Sequence, residues 1–178
     1  SLVQVRMVAT GAVRDAVNGW EFAQRVEEVT GHPLCILSGS AEATGIAAGI
    51  LTDPELSRSP NFLACDLGGG SLELILVVDR AVKAKVSLPL GAVRLTERFI
   101  ADPHAPVPVA ETEAIGAHVR ETLAASGFPF AEKTSLLVAT GGSFYTARLI
   151  LAKREGIRFE ERSRLSREDF AELLNETV

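Results

Sequence analysis

Asp66 and Glu73 enclose three consecutive glycines and a serine, in the order Asp66-Leu67-Gly68-Gly69-Gly70-Ser71-Leu72-Glu73. Residues of these types at this spacing suit phosphate chemistry. Glycines bring backbone N–H donors up to a ligand with no Cβ in the way, and successive N–H groups form an anion-binding concavity. A carboxylate on each side, Asp66 and Glu73, can hold a divalent cation beside the same ligand, because hard cations take oxygen donors. A plain hairpin turn uses glycine too, but needs fewer than three in a row. A second segment, Thr140-Gly141-Gly142-Ser143, stands between a strand-like and a helix-like run. A helix N-terminus there offers free N–H groups and the positive end of its dipole to an anion. Taken alone it reads equally as a close-packed strand-to-helix connection. Beside the first segment, a pair of phosphate-binding loops is the better account.

Other candidates are weaker from spacing alone. Glu42 follows Ser38-Gly39-Ser40 in the first turn of an expected helix, where a carboxylate is simply favourable at the helix dipole. Arg14 has a guanidinium suited to phosphate, but an Arg14-Asp15 pair on a short helix reads as solvated. His32, His104 and His118 are scattered without metal-ligand spacing and read as surface or structural residues. Cys35 and Cys65 lie in apolar strand-like runs and read as buried free thiols, consistent with a reducing cytoplasm. No G-x-x-x-x-G-K-[ST] segment occurs, which excludes a P-loop NTPase.

The elements that must position these residues can be read from periodicity. Strands are expected at 3–10 and 34–37, with a short helical turn at 13–18 between them. A helix follows at 20–30, with Trp20, Phe22, Ala23, Val26 and Val29 at helical spacing. A small-residue helix at 41–51 and a loop at 53–60 come next. Strands at 62–66, 72–79 and 81–89, joined by tight turns, form an antiparallel meander. Helices are expected from Gly91 to Phe99 and over 110–126, separated by a loop at 102–108 that holds three of the eight prolines. A strand at 135–139, a helix at 144–153 and a last helix capped by Leu165-Ser166-Arg167-Glu168-Asp169 complete the chain.

At 178 residues the chain fits one large domain or two small ones, and 47% hydrophobic with 23% charged residues is ordinary globular composition. No apolar run approaches the roughly 20 residues that span a bilayer, and no secretory h-region opens the chain. A net charge of −5 argues against non-specific nucleic-acid binding but leaves room for a polyanionic substrate at a locally positive site. Ser1-Leu2 and the lack of an initiator Met lead to the expectation of an excised piece.

Five ordered motifs carry a resemblance: Ala9-Thr10-Gly11-Ala12-Val13-Arg14-Asp15-Ala16, Ile36-Leu37-Ser38-Gly39-Ser40-Ala41-Glu42-Ala43, the Asp66–Glu73 segment, Ser87-Leu88-Pro89-Leu90-Gly91-Ala92-Val93-Arg94-Leu95-Thr96-Glu97, and Thr140-Gly141-Gly142. Their order and spacing resemble the exopolyphosphatase and guanosine-pentaphosphate phosphatase (Ppx/GppA) family over nearly the whole chain. The resemblance implies an α/β fold of the actin, sugar-kinase and Hsp70 ATPase superfamily, with ribonuclease-H-like domains, a mixed sheet and flanking helices. It implies Glu42 as the base that activates water and Arg14 as an arginine that meets substrate phosphate. Asp66 and Glu73 match the residues associated with Mg²⁺ or another divalent cation. Gly68, Gly69, Gly70 and Ser71 match the phosphate loop, and Gly141, Gly142 and Ser143 the loop of the second domain. The implied reaction is metal-assisted hydrolysis of a terminal phosphoanhydride of polyphosphate or guanosine pentaphosphate, in the cytoplasm, with homodimers common among relatives.

Departures from the family pattern stand beside these matches. Ala41 replaces a glutamate, Leu72 replaces a threonine, and Gly11 stands where serine is frequent. The family's N-terminal Asp-x-Gly-Ser-Asn-Ser loop has no counterpart, nor has a later Arg-Ala-Asp segment. The chain is therefore expected to comprise the end of one domain (1–43) and most of a second (44–178), weakly active by itself. The rival readings are a phosphate-binding regulatory module without catalysis, which Ala41 and Leu72 favour, and an ATP-using kinase of the same superfamily.

Overall fold

The computed structural model describes residues 4–132, 134 and 136–177; Val3 and Ser135, where two strands were expected to begin, lie outside them. Strand β1 (Met7–Ala9) pairs in parallel with β2 (Leu34–Ile36), Met7 opposite Leu34. A parallel pair needs a crossover, and helices α1 (Gly11–Arg14) and α2 (Gly19–Thr30) supply it. Gly31, at φ 69°, ends α2 in the left-handed conformation that glycine accepts without steric cost.

The apolar residues of α2 are mostly uncovered. Ala23 is buried, but Trp20, Phe22 and Val29 are 70%, 50% and 83% exposed. Two strands of three residues each present too little surface to cover a helix of twelve. Cys35, at the centre of β2, is exposed for the same reason, against the expectation of a buried thiol.

Helix α3 (Gly39–Leu51) starts where the side chain of Ser38 accepts a hydrogen bond from Ala41 N at 3.2 Å. Its small residues let it lie close to the sheet beneath. Ala43 and Ala47 are buried against Phe62, Ala64, Ile75 and Val77. The loop expected at 53–60 contains one 3-10 turn, Pro54–Arg58, capped by Asp53.

The meander forms as expected from β3 (Phe62–Leu67), β4 (Leu72–Val78) and β5 (Ala81–Leu88). Helices α4 (Ala92–Phe99) and α5 (Val109–Ala125) follow, and β6 (Leu137–Thr140) then joins β3 in parallel. The order β5-β4-β3-β6 makes the sheet mixed. Helices α6 (Gly142–Glu155) and α7 (Arg167–Thr177) end the chain.

Both faces of the sheet are covered. One face packs on α3, and the other holds Leu74, Leu76, Leu88, Leu90 and Phe128, with Leu95 of α4 and Val119 and Leu123 of α5 against them. Strand β4 is accordingly buried at successive positions, as a central strand with two dry faces should be. A mixed sheet with flanking helices is the α/β architecture implied by the sequence.

Candidate functional site

The register of the sheet builds one wall of the site. Ser87 pairs with Glu73, Glu73 with Asp66, and Asp66 with Thr140, so four oxygen-bearing side chains form one row across β5, β4, β3 and β6. The row lies on the α3 face, in line with Ala64, Ile75 and Val138. Paired residues on neighbouring strands share a face, so the two expected metal-binding carboxylates, Asp66 and Glu73, stand side by side. Glu73 is 2% exposed, and Ser87 Oγ donates to its Oε1 at 2.6 Å. The hydroxyl of Thr140 is buried with no hydrogen-bond partner among the described residues. Leaving such a bond unmade costs about 1–3 kcal/mol.

The donor set fits a divalent cation of the Mg²⁺ type. Mg²⁺ takes one or two carboxylates and keeps waters and phosphate oxygens in its remaining positions. Asp66 and Glu73 would provide the carboxylates, with the hydroxyl of Thr140, unpartnered among the described residues, in the same row.

The triple-glycine turn is shaped by α4. The carbonyl of Gly68 accepts from Ala92 N at 2.9 Å, that of Gly69 from Arg94 N at 3.1 Å, and that of Gly70 from Arg94 Nε at 2.8 Å. In a trans peptide the N–H points opposite to the carbonyl. The N–H groups of Gly69, Gly70 and Ser71 are thereby turned away from α4.

The steric need for glycine is greater beside the turn than within it. None of the three turn glycines has a positive φ, and a Cβ on Gly68 would make only ordinary contact. At Gly91, by contrast, a Cβ would overlap the backbone of Gly69 and Gly70 and push α4 off the turn. Gly91 and Arg94 belonged to a recognised motif, but only the packing reveals what they do.

The opposite wall carries the expected catalytic pair. Arg14 Nη1 donates to Glu42 Oε2 at 2.8 Å and to the carbonyl of Leu37 at 3.0 Å. With side chains only 21% and 16% exposed, this is a formed pair, and the reading of Arg14 as a solvated surface residue is corrected. The hydrogen bond that Arg14 donates to Glu42 raises the pKa of Arg14 above its ordinary value, against the opposing effect of burial, and the charges of Glu42, Asp15 and Glu73 add to the rise.

Arg14, Ser40, Gly70, Ser71, Lys85 and Ser87 line a cavity of about 480 Å³. Arg14, the partner of Glu42, therefore faces the same space as one side of the glycine turn. Lys85, missed in the sequence, donates to the carbonyl of Ser40 at 3.1 Å and to the Thr44 hydroxyl, holding the start of α3 over the sheet. Gly142 and Ser143 are not in this cavity. They meet Gly68 and Gly69 across a second one of about 560 Å³. The two glycine loops come together as expected, and the turn separates their shared space from that of Arg14.

Gly141 sits between the loops at φ 100°, ψ 164°, with Asp66 Oδ1 and the carbonyl of Leu67 against its Cα. One departure from the family pattern loses weight here. Leu72 packs into the apolar cluster on the opposite face of the sheet, so a threonine at 72 would point away from the Asp66–Glu73 row. Ala41 is exposed on α3, and Gly11 is buried beside Arg14 and Ser71 with room for a Cβ.

The two thiols give an independent check on this sheet. Burial pushes Cys65 up to about 11, with Asp66 and Glu73 adding to the effect, whereas Cys35 is exposed. At pH 8, iodoacetamide is expected to alkylate Cys35 rapidly and Cys65 only on unfolding, read by intact mass. The folded state keeps the Cys65 proton after the unfolded thiol, near 9.0, has lost it. Its contribution to stability is therefore unchanged below about pH 9 and is lost as pH rises from there towards 11.

A family model described as the Ppx/GppA phosphatase family matches residues 1–178, and the chain belongs to that family. A guanosine-5'-triphosphate,3'-diphosphate pyrophosphatase of Vibrio cholerae is 37% identical over 99 residues, 55% of this chain and 19% of that protein. Among solved structures, an exopolyphosphatase from Cytophaga hutchinsonii superposes with a TM-score of 0.82 at 25% identity, over 98% of this chain and 57% of that one. A Ppx/GppA family member from Aquifex aeolicus gives 0.65 at 25% identity, over 84% and 46%. The chain thus spans about half the length of these solved relatives, and the matched segment a fifth of the curated one. The fold is that of these solved exopolyphosphatase and Ppx/GppA relatives. No helix among the described residues is long and apolar enough to cross a membrane.

Proposed function

We propose that the site hydrolyses the terminal phosphoanhydride of a polyphosphate chain or of guanosine pentaphosphate. The observation that carries this reading is Arg14, which bonds Glu42 at 2.8 Å and lines the cavity that Gly70 and Ser71 also line. Glu42 takes a proton from water as the water oxygen attacks the terminal phosphorus. The bridging P–O bond breaks, and the bond electrons leave with the shortened phosphate chain. Arg14 and the N–H groups of the glycine turn bind the non-bridging oxygens, where negative charge must be stabilised in place of solvent. A bound Mg²⁺ would add further charge neutralisation at these oxygens. Asp66 and Glu73 would hold that cation, with Thr140 beside them.

Water as acceptor, rather than a sugar or protein hydroxyl, is supported by a carboxylate bonded to the arginine that lines the cavity and by membership of a phosphatase family. The test is phosphate release by the protein at its full natural length, comparing long-chain polyphosphate with guanosine pentaphosphate at fixed Mg²⁺. Release from one or both, lost with chelator, is the expected result. Transfer of phosphate from ATP to an acceptor, without release from either substrate, would instead identify a kinase.

A further inference from the structure

The two halves of the proposed site come from different parts of the fold. Helices α1 and α3 carry Arg14 and Glu42, and the loop between β3 and β4 carries the glycine turn. Base and phosphate cradle act on the same phosphorus, so the distance between them must be held closely. One continuous chain of contacts crosses that gap. Glu42 Oε2 meets Arg14 Nη1 at 2.8 Å, and Arg14 Nε stands 3.5 Å from Asp15 Oδ1. Asp15 Oδ2 is ion-paired with Arg94 Nη2, and Arg94 Nε donates to the carbonyl of Gly70 at 2.8 Å.

Both ends of the bridge are tied to backbone. Asp15 N bonds to the carbonyl of Gly11 at 3.0 Å, closing α1, and Arg94 N bonds to the carbonyl of Gly69 at 3.1 Å. Asp15 lines the cavity of Arg14 and Ser71, and also an adjoining one of about 430 Å³ shared with Arg94 and Gly70.

We propose that Asp15 and Arg94 are positioning residues that keep the Arg14–Glu42 pair in register with the glycine turn. The inference rests on the hydrolytic reading given above. Arg94 is suited to the task because a planar guanidinium presents Nε to one acceptor and Nη2 to another in fixed directions, which a lysine ammonium cannot do. The pair itself is 39% and 44% exposed, and ion pairs of that exposure contribute little to stability. A large catalytic effect from either residue would therefore come from placement rather than folding.

The test uses Asp15→Asn, Arg94→Lys, the double variant and Glu42→Gln in the full-length protein, with kcat, KM, melting temperature and a crystal structure of Asp15→Asn. Each single variant is expected to lower kcat roughly 10- to 100-fold, the cost of small misplacement. Melting temperature should stay within about 3 °C of the parent. Because the two residues belong to one chain of contacts, the double variant should fall no further than the worse single. Singles within about threefold of the parent, or losses that multiply in the double, overturn the proposal. Should Glu42→Gln hydrolyse like the parent, or the parent not hydrolyse at all, the functional reading fails and the crystal structure decides the linkage. An Arg14–Glu42 contact opened beyond hydrogen-bond distance supports it, and one unchanged at 2.8 Å overturns it.

Discussion

Replacing Glu42 by glutamine is expected to lower kcat for phosphate release by about 10²- to 10⁴-fold, the range that a positioned general base contributes. The amide is isosteric and keeps an acceptor oxygen for Arg14, so the 2.8 Å contact survives while the proton acceptor is lost. The ion pair becomes a neutral–charged hydrogen bond, and with both side chains partly exposed the change in stability should be small. Substrate affinity should hardly move, because Arg14 and the glycine turn remain. A fall in kcat with KM and melting temperature preserved would thus identify Glu42 as the base. Retention of parental kcat would sink that role, and a module that only binds phosphate would show no hydrolysis for the substitution to remove.

Gly141→Ala should be the most damaging single methyl group in the site. Gly141 sits at φ 100°, ψ 164°, a region open essentially to glycine alone, which costs another residue about 1–3 kcal/mol. A Cβ there would also overlap the carbonyl oxygen of Leu67 and stand 2.8 Å from Asp66 Oδ1. Overpacking of this kind costs about 1–3 kcal/mol more. The sum, roughly 2–6 kcal/mol, corresponds to a fall in melting temperature of at least about 5 °C for a chain of this size. The neighbouring Gly142→Ala is the control. A Cβ at 142 meets nothing within 4 Å, and the position opens α6 at ordinary helical φ, so little change is expected. Calorimetric melting of the two variants compares them directly. Equal stability would refute the account of Gly141. The same displacement of Asp66 should weaken Mn²⁺ binding measured by electron paramagnetic resonance, a readout independent of turnover.

Much of this site was legible in the sequence because its signals are local. Glycine runs, a serine cap before α3 and period-two apolar strands act within a few residues of themselves. They marked the meander, the two loops and the carboxylates that flank the first of them. The misreadings fall where burial depends on distant chain. Cys35 sits in an apolar strand, yet an apolar run cannot say whether a partner surface lies over it. A close approach that no local signal marks is at Gly91, some twenty residues along the chain from the turn.

By itself, then, the sequence determined the element types, the phosphate-suited loops and the identity of the candidate base, arginine and carboxylates. Tertiary structure alone decided who stands beside whom. Sheet register aligned Ser87, Glu73, Asp66 and Thr140 in one row. Packing of α4 on the turn set the direction of three N–H groups, and the approach of α1 to α3 paired Arg14 with Glu42 across 28 residues. The physical reason is that propensity and capping are short-range. Hydrogen bonds between strands, ion pairs and steric overlap join residues far apart in the chain, and exist only once the chain has closed on itself.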